Sequence, residues 1–222
     1  MSDLKKIISE LRSHANPKCV QGMARFGINP KNTLGVDVPT LQKIAKQIGK
    51  NHDLAIKLWN SKIHEARILA ALIENPKLTT PAQMEKWAKE FDSWDVCDQV
   101  CMRIFDKTPV AYLKAAKWSK QSKEFVKRAG FALIASLAIH DKKAKNEDFL
   151  KFFPTIKAQS TDPRNYVRKA VNWALRQIGK RNPALRIKAI KLAKEIEKIN
   201  SKSAKWIAKD AIRELQQKKF KK

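Results

Sequence analysis

Apolar residues recur three and four positions apart along most of this chain, and two-residue alternation is nearly absent. That spacing puts side chains on one stripe of a helix and gives a sheet no face to bury. The stripes are short, because Pro, Asn, Asp and Gly interrupt them at Asn75-Pro76, Thr108-Pro109, Asp162-Pro163 and Asn182-Pro183. The sequence therefore predicts roughly a dozen helices joined by tight breaks. Ser2 is placed to cap a helix from Asp3 to Ala15, Thr80-Pro81 opens another through Phe91, and Ser201 or Ser203 opens the last. One stretch, about Asn16 to Val38, carries Gly22, Gly27, Pro30 and Gly35 and reads as irregular. No long linker divides the chain, so a single domain is expected over residues 1–217. The basic tail at 218–222, Lys218-Lys219-Phe220-Lys221-Lys222, is expected to fray.

A short pattern of an apolar or acidic residue, any residue, then a charge returns inside successive helices: Glu65-Ala66-Arg67, Val96-Cys97-Asp98, Val126-Lys127-Arg128, Val167-Arg168-Lys169 and Ile207-Ala208-Lys209. The charged positions stand 31, 30, 41 and 40 residues apart, the range of stacked helix pairs of the HEAT kind. The expected fold is all-α, an α-solenoid of HEAT-like helix pairs with a concave basic face. In such a stack the five charges form one row, with Asp98 the exception among bases.

Charge narrows the function. Lysine and arginine number 47 against 21 acids, a net charge of +26, and a field of that size draws in polyanions. Nucleic acid is the expected partner. Within this basic chain, Ser93-Trp94-Asp95-Val96-Cys97-Asp98 gathers two carboxylates and an indole. A carboxylate in a phosphate-binding surface repels the ligand, a cost offset only where it stabilises positive charge developing on that ligand. Helical spacing puts Trp94 one turn before Asp98 and Trp173 one turn after Lys169. Two indoles and one carboxylate inside a ring of Arg128, Lys169, Arg168 and Arg67 would suit a cation attached to a phosphate backbone.

Other classes are disfavoured. No stretch approaches about 20 uninterrupted apolar residues, and Met1-Ser2-Asp3 begins a polar amphipathic segment, so no membrane span and a cytoplasmic location are expected, nucleoid-associated in a bacterial cell. Cys19, Cys97 and Cys101 are odd in number, and His14, His52, His64 and His140 are scattered without ligand spacing. Reduced thiols and no metal are expected.

Phe91 to Gln99, then Val126-Lys127-Arg128-Ala129, then Arg164 to Gln177 with Trp173 inside it, resemble DNA alkylation repair enzymes of the AlkD type. Gly35 to Lys46, Leu58-Trp59-Asn60-Ser61 and His64-Glu65-Ala66-Arg67 resemble the same family upstream, so the likeness runs from about residue 20 to 215. The resemblance implies a HEAT-like DNA glycosylase that removes positively charged N3- or N7-alkylated purines from double-stranded DNA; that reaction needs no cofactor, and a solenoid that wraps DNA has no need of a twofold mate, so a monomer is expected. It also implies that the lesion stays in or near the duplex. The family's catalytic Trp-Asp pair matches Trp94 and Asp98, its second active-site tryptophan Trp173, and its phosphate-binding arginine Arg128. The alternative is a non-catalytic HEAT-repeat protein that binds damaged or branched DNA.

Each residue also has a structural reading. Trp59, Trp87, Trp118 and Trp206 are expected in the core or at its edge. Asp95 is expected to cap the helix entered at Ser93. His64-Glu65 reads as an inter-helix hydrogen bond or a cap rather than an acid-base pair, and Arg128 as either a phosphate contact or a ladder residue between repeats.

Overall fold

The computed structural model describes residues 3–217, and all regular structure among them is helical. The Ser2 cap and the 218–222 tail fall outside the described residues. The chain divides at the Thr108-Pro109 break into two units, 1–108 and 109–222.

The first unit holds α1 (Asp3–Ser13), α2 (Pro17–Arg25), α3 (Val38–Ile48), α4 (His52–Asn60), α5 (His64–Ile73), α6 (Pro81–Lys89) and α7 (Trp94–Arg103), followed by a 3₁₀ turn at Phe105–Lys107. Side-chain caps set the starts of four of them: Asn16 accepts from the Lys18 and Cys19 amides, Asp37 from Thr40, Asn51 from Leu54 and Thr80 from Gln83. Helix α2 lies within the stretch expected to be irregular. Its sequence disguises it, because Gly22 sits mid-helix and none of its residues is buried, so no apolar stripe announces it.

The core of this unit is aromatic. Trp59 and Trp87 stack face to face with centroids 4.1 Å apart. Phe91 meets Trp59 edge-on at 5.9 Å, and Phe105 lies 6.4 Å from Trp87. Each such pair adds roughly 0.5 to 1.5 kcal/mol beyond simple burial. Trp59 and Trp87 are thus core residues, as the spacing predicts.

The second unit holds α8 (Ala111–Trp118), α9 (Glu124–His140), α10 (Asn146–Leu150), α11 (Phe153–Gln159), α12 (Asn165–Gly179), α13 (Pro183–Glu197) and α14 (Lys202–Gln217). Every residue of α9 from Val126 to Ala138 is buried, between α8 and α12. The α8 crossing depends on Gly130, where an added Cβ would stand 2.2 Å from the Ser119 nitrogen.

The repeats appear as bonds of fixed sequence separation. In the first unit, Glu65 to Leu34, Glu90 to Trp59 and Asp95 to His64 are each 31 residues apart. In the second, Arg128 to Tyr166, Lys157 to Glu195, Asn172 to Asp210 and Arg176 to Glu214 are each 38 apart. Equivalent positions of neighbouring helix pairs therefore touch, as stacked repeats require.

Charge divides unevenly. Residues 1–108 carry 17 lysines and arginines against 12 acids, and residues 109–222 carry 30 against 9. The first unit carries a net charge of +5 and the second +21, so most of the excess positive charge belongs to the second.

Candidate functional site

Helix α7 presents the carboxylate. It starts at Trp94 after Ser93, and Val96, Cys97, Val100 and Cys101 take its buried side. Trp94, Asp95, Asp98, Gln99 and Met102 are half-buried and Arg103 is exposed, so the indole and the carboxylate lie one turn apart on a face that keeps access to solvent. The Trp94 Nε1–H donates to the Phe26 carbonyl at 3.0 Å, which fixes the plane of the ring.

The first turn of α7 is tied down by α5. His64 Nε2 and Asp95 Oδ2 are 2.8 Å apart, and the Ser93 hydroxyl donates to the other Asp95 oxygen at 2.6 Å. Burial opposes charging either partner. The hydrogen bond and mutual attraction outweigh it, so His64 is held above the usual imidazole value and Asp95 below the usual carboxylate value. Asp95 is therefore not the cap of α7, and Ser93 makes no side-chain cap bond. An ion pair to α5 fits Asp95 better, because its place in the first helical turn aims it at a neighbouring histidine and suits the positive end of the helix dipole. His64 accordingly makes the expected inter-helix bond. Its neighbour Glu65, fully buried, accepts from the Leu34 and Gly35 amides at 2.8 and 2.7 Å.

Arg67 differs from its sequence reading. It is only 6% exposed, and its guanidinium lies 4.9 Å over the Trp59 ring. It donates to the Glu90 carbonyl at 3.1 Å and approaches the Asp92 carboxylate at 3.5 Å. Its charge is committed to neighbours 23 and 25 residues on, which the repeat pattern alone does not reveal.

In the second unit, Arg128 is also 6% exposed and donates to the Tyr166 carbonyl at 2.7 Å. This gives it the ladder role that was one of its two readings. Lys169 is exposed and Trp173 half-buried, both on α12. Arg168 lies 4.6 Å over the ring of Trp206, on the partly exposed side of α14. This α14 contact was not legible in the sequence, since only the 38-residue register brings Trp206 to Arg168. A further cluster escaped notice as well: Asp162 binds Lys127 at 3.1 Å and Arg164 at 2.6 Å. Burial would raise its carboxyl, but these bonds bring it down to about 2.

Cys97 and Cys101 are buried and Cys19 exposed, all as free thiols, and burial pushes the Cys101 thiol well up. Among the described residues no cluster of His, Cys, Asp and Glu has the makings of a metal site, and no helix is long and apolar enough to cross a membrane.

The uncharacterized protein Lin0241 of Listeria innocua serovar 6a is 27% identical over 218 residues, 96% of this chain and 95% of the relative. Lmo0209 of Listeria monocytogenes serovar 1/2a, also uncharacterized, is 27% identical over 139 residues, 61% of this chain and 62% of its own. A solved structure from a new family of proteins related to the HEAT-like repeat DNA glycosylases, with affinity for branched DNA structures, superposes with a TM-score of 0.80. It covers 96% of this chain and 95% of its own at 20% identity, a likeness that establishes the all-helical HEAT-like fold. The model for the DNA alkylation repair enzyme family matches residues 7–215, and the chain belongs to that family.

Proposed function

We propose that this protein is a monofunctional DNA glycosylase for cationic N3- or N7-alkylated purines. The observation that carries the reading is Asp98, a half-buried carboxylate one turn from a half-buried indole, in a chain of net charge +26. Alkylation at N3 or N7 already makes the purine a good leaving group, so little acid catalysis is needed. As the bond from C1′ to the base nitrogen breaks, its electron pair goes to the base, which leaves neutral. The deoxyribose becomes oxocarbenium-like, and Asp98 stabilises that charge. Water oriented by Asp98 attacks C1′, and as the new C–O bond forms its proton passes to the Asp98 carboxylate and on to bulk solvent. No cofactor takes part.

Trp94 offers the sugar and the cationic base an indole face, a contact worth about 0.5 to 2 kcal/mol. The resemblance gives Trp173 the same kind of role and Arg128 a backbone phosphate. Lys169 and Arg168 add phosphate contacts that fix register without reading sequence. Arg67 is not among them, since acids already surround it.

The alternative, a non-catalytic binder of damaged or branched DNA, draws support from the branched-DNA affinity of the superposable relative. A release assay separates the two. Duplex DNA methylated at N7 of guanine or N3 of adenine is incubated with the parent and with Asp98→Asn, and free base is measured. Release by the parent alone is expected. Tight binding without release by either protein overturns the glycosylase reading in favour of the alternative.

A further inference from the structure

Between α2 and α3 the chain turns sharply and exposes one aromatic ring. Phe26 is 76% exposed, more than any other large hydrophobic side chain among the described residues. Its neighbours Ala24, Arg25, Pro30 and Lys31 are exposed too, so the ring is the one large apolar side chain exposed in this segment and is flanked by two bases.

The segment is firmly held. Gly27 turns the chain at φ +74° and donates to the Ala24 carbonyl, while Ile28 is buried behind the turn and donates to the Met23 carbonyl. The Asn29 amide reaches Asp92 at 3.3 Å, the His64 amide binds the Asn32 carbonyl at 2.9 Å, and Glu65 holds the Leu34 and Gly35 amides. The Phe26 carbonyl itself accepts from the Trp94 indole. One bond therefore orients Trp94 and fixes the residue that carries the exposed ring.

We infer that Phe26 is a DNA-stacking residue, which enters the base stack beside the lesion and unstacks the neighbouring base while Trp94 and Asp98 face the sugar. Nucleic acid is the ligand that matches both features of this segment, because it offers flat apolar faces to a ring and phosphates to the flanking Arg25 and Lys31. A ring on a fixed support loses little freedom on insertion, and insertion props the duplex open without full extrusion of the damaged base. The inference rests on the proposed function in taking a lesion in duplex DNA as the ligand that Trp94 and Asp98 face, and does not require base release.

The test uses the full chain and a duplex with 2-aminopurine beside a tetrahydrofuran abasic-site analogue, whose fluorescence rises on unstacking. The parent and Asp98→Asn should both raise it. Phe26→Ala should lose most of the rise and bind this duplex about tenfold more weakly, with unchanged affinity for undamaged duplex and an unchanged melting temperature; Phe26→Trp should restore both signals. A parent that leaves the fluorescence flat, or a Phe26→Ala variant that matches the parent, overturns the inference. In the second case base release by the parent leaves the glycosylase reading standing. A lost signal in Phe26→Ala with no release by the parent retains the stacking role and overturns glycosylase activity instead.

Discussion

The Trp94 and Asp98 pair was legible because four-residue spacing on a helix is a fixed rotation, and the buried Val96, Cys97, Val100 and Cys101 settle which side faces inward. Side chains engaged across the repeats were less legible. Arg67 looks like a phosphate ligand in the sequence and Arg128 like either a phosphate ligand or a ladder residue, and both are buried and bonded to groups 23 to 38 residues away. Glu65 is the opposite case, a buried acid that organises the loop beneath Trp94. Glu65→Ala strands the buried Gly35 amide and the half-buried Leu34 amide, and urea unfolding should show a loss of about 3 kcal/mol.

The His64–Asp95 pair gives a prediction in pH. His64 is raised, so its contribution is complete below the ordinary imidazole value of about 6.5 and fades as pH climbs through the folded value. Asp95 is lowered, so its contribution is complete above about 3.9 and fades as pH falls through the folded value. The melting-temperature gap between the parent and His64→Asn should be widest between those limits and narrow at mildly alkaline pH. A gap that widens with rising pH would show that the pair does not carry charge.

Elements with a buried stripe were readable and those without one were not. Helix α9 is apolar for most of its length and α12 is strongly amphipathic, whereas α2 buries nothing and depends on the Asn16 cap and Pro17. The glycines at 35 and 130 do different jobs that composition does not separate. Gly35 has φ +81°, and an added Cβ would come within 2.2 Å of the Asn16 carbonyl oxygen; Gly130 is an ordinary helical residue whose missing Cβ admits α8. Alanine normally favours a helix over glycine. Here Gly130→Ala should instead lower stability by about 1 to 3 kcal/mol, the usual cost of overpacking, because the obstacle is the Ser119 backbone and not a flexible side chain. A calorimetric scan with an unchanged or raised melting temperature would contradict that close approach.

At the scale of the molecule, the repeat spacing was visible as recurring charges, and the structure turns it into bonds 31 and 38 residues apart. The division at Thr108-Pro109 was not visible, because that break resembles the other short breaks and no change in residue pattern marks it. The division matters for binding, since residues 109–222 carry most of the excess charge. Neutralising the exposed Lys169, Lys205 and Lys209 together should lower the slope of log affinity against log salt by up to about 3. The same treatment of exposed Lys43, Lys46 and Lys57 should change it much less. Equal effects would place the DNA contact evenly along the chain.

The proposed reaction depends on Asp98 stabilising a sugar cation. Its most direct test is single-turnover release of N7-methylguanine from duplex DNA at saturating protein, parent against Asp98→Asn, with DNA affinity measured in parallel. The rate should fall roughly a hundred- to thousandfold while affinity holds or rises, since a carboxylate repels phosphate. An unchanged rate, or a loss explained wholly by weaker binding, would contradict the account.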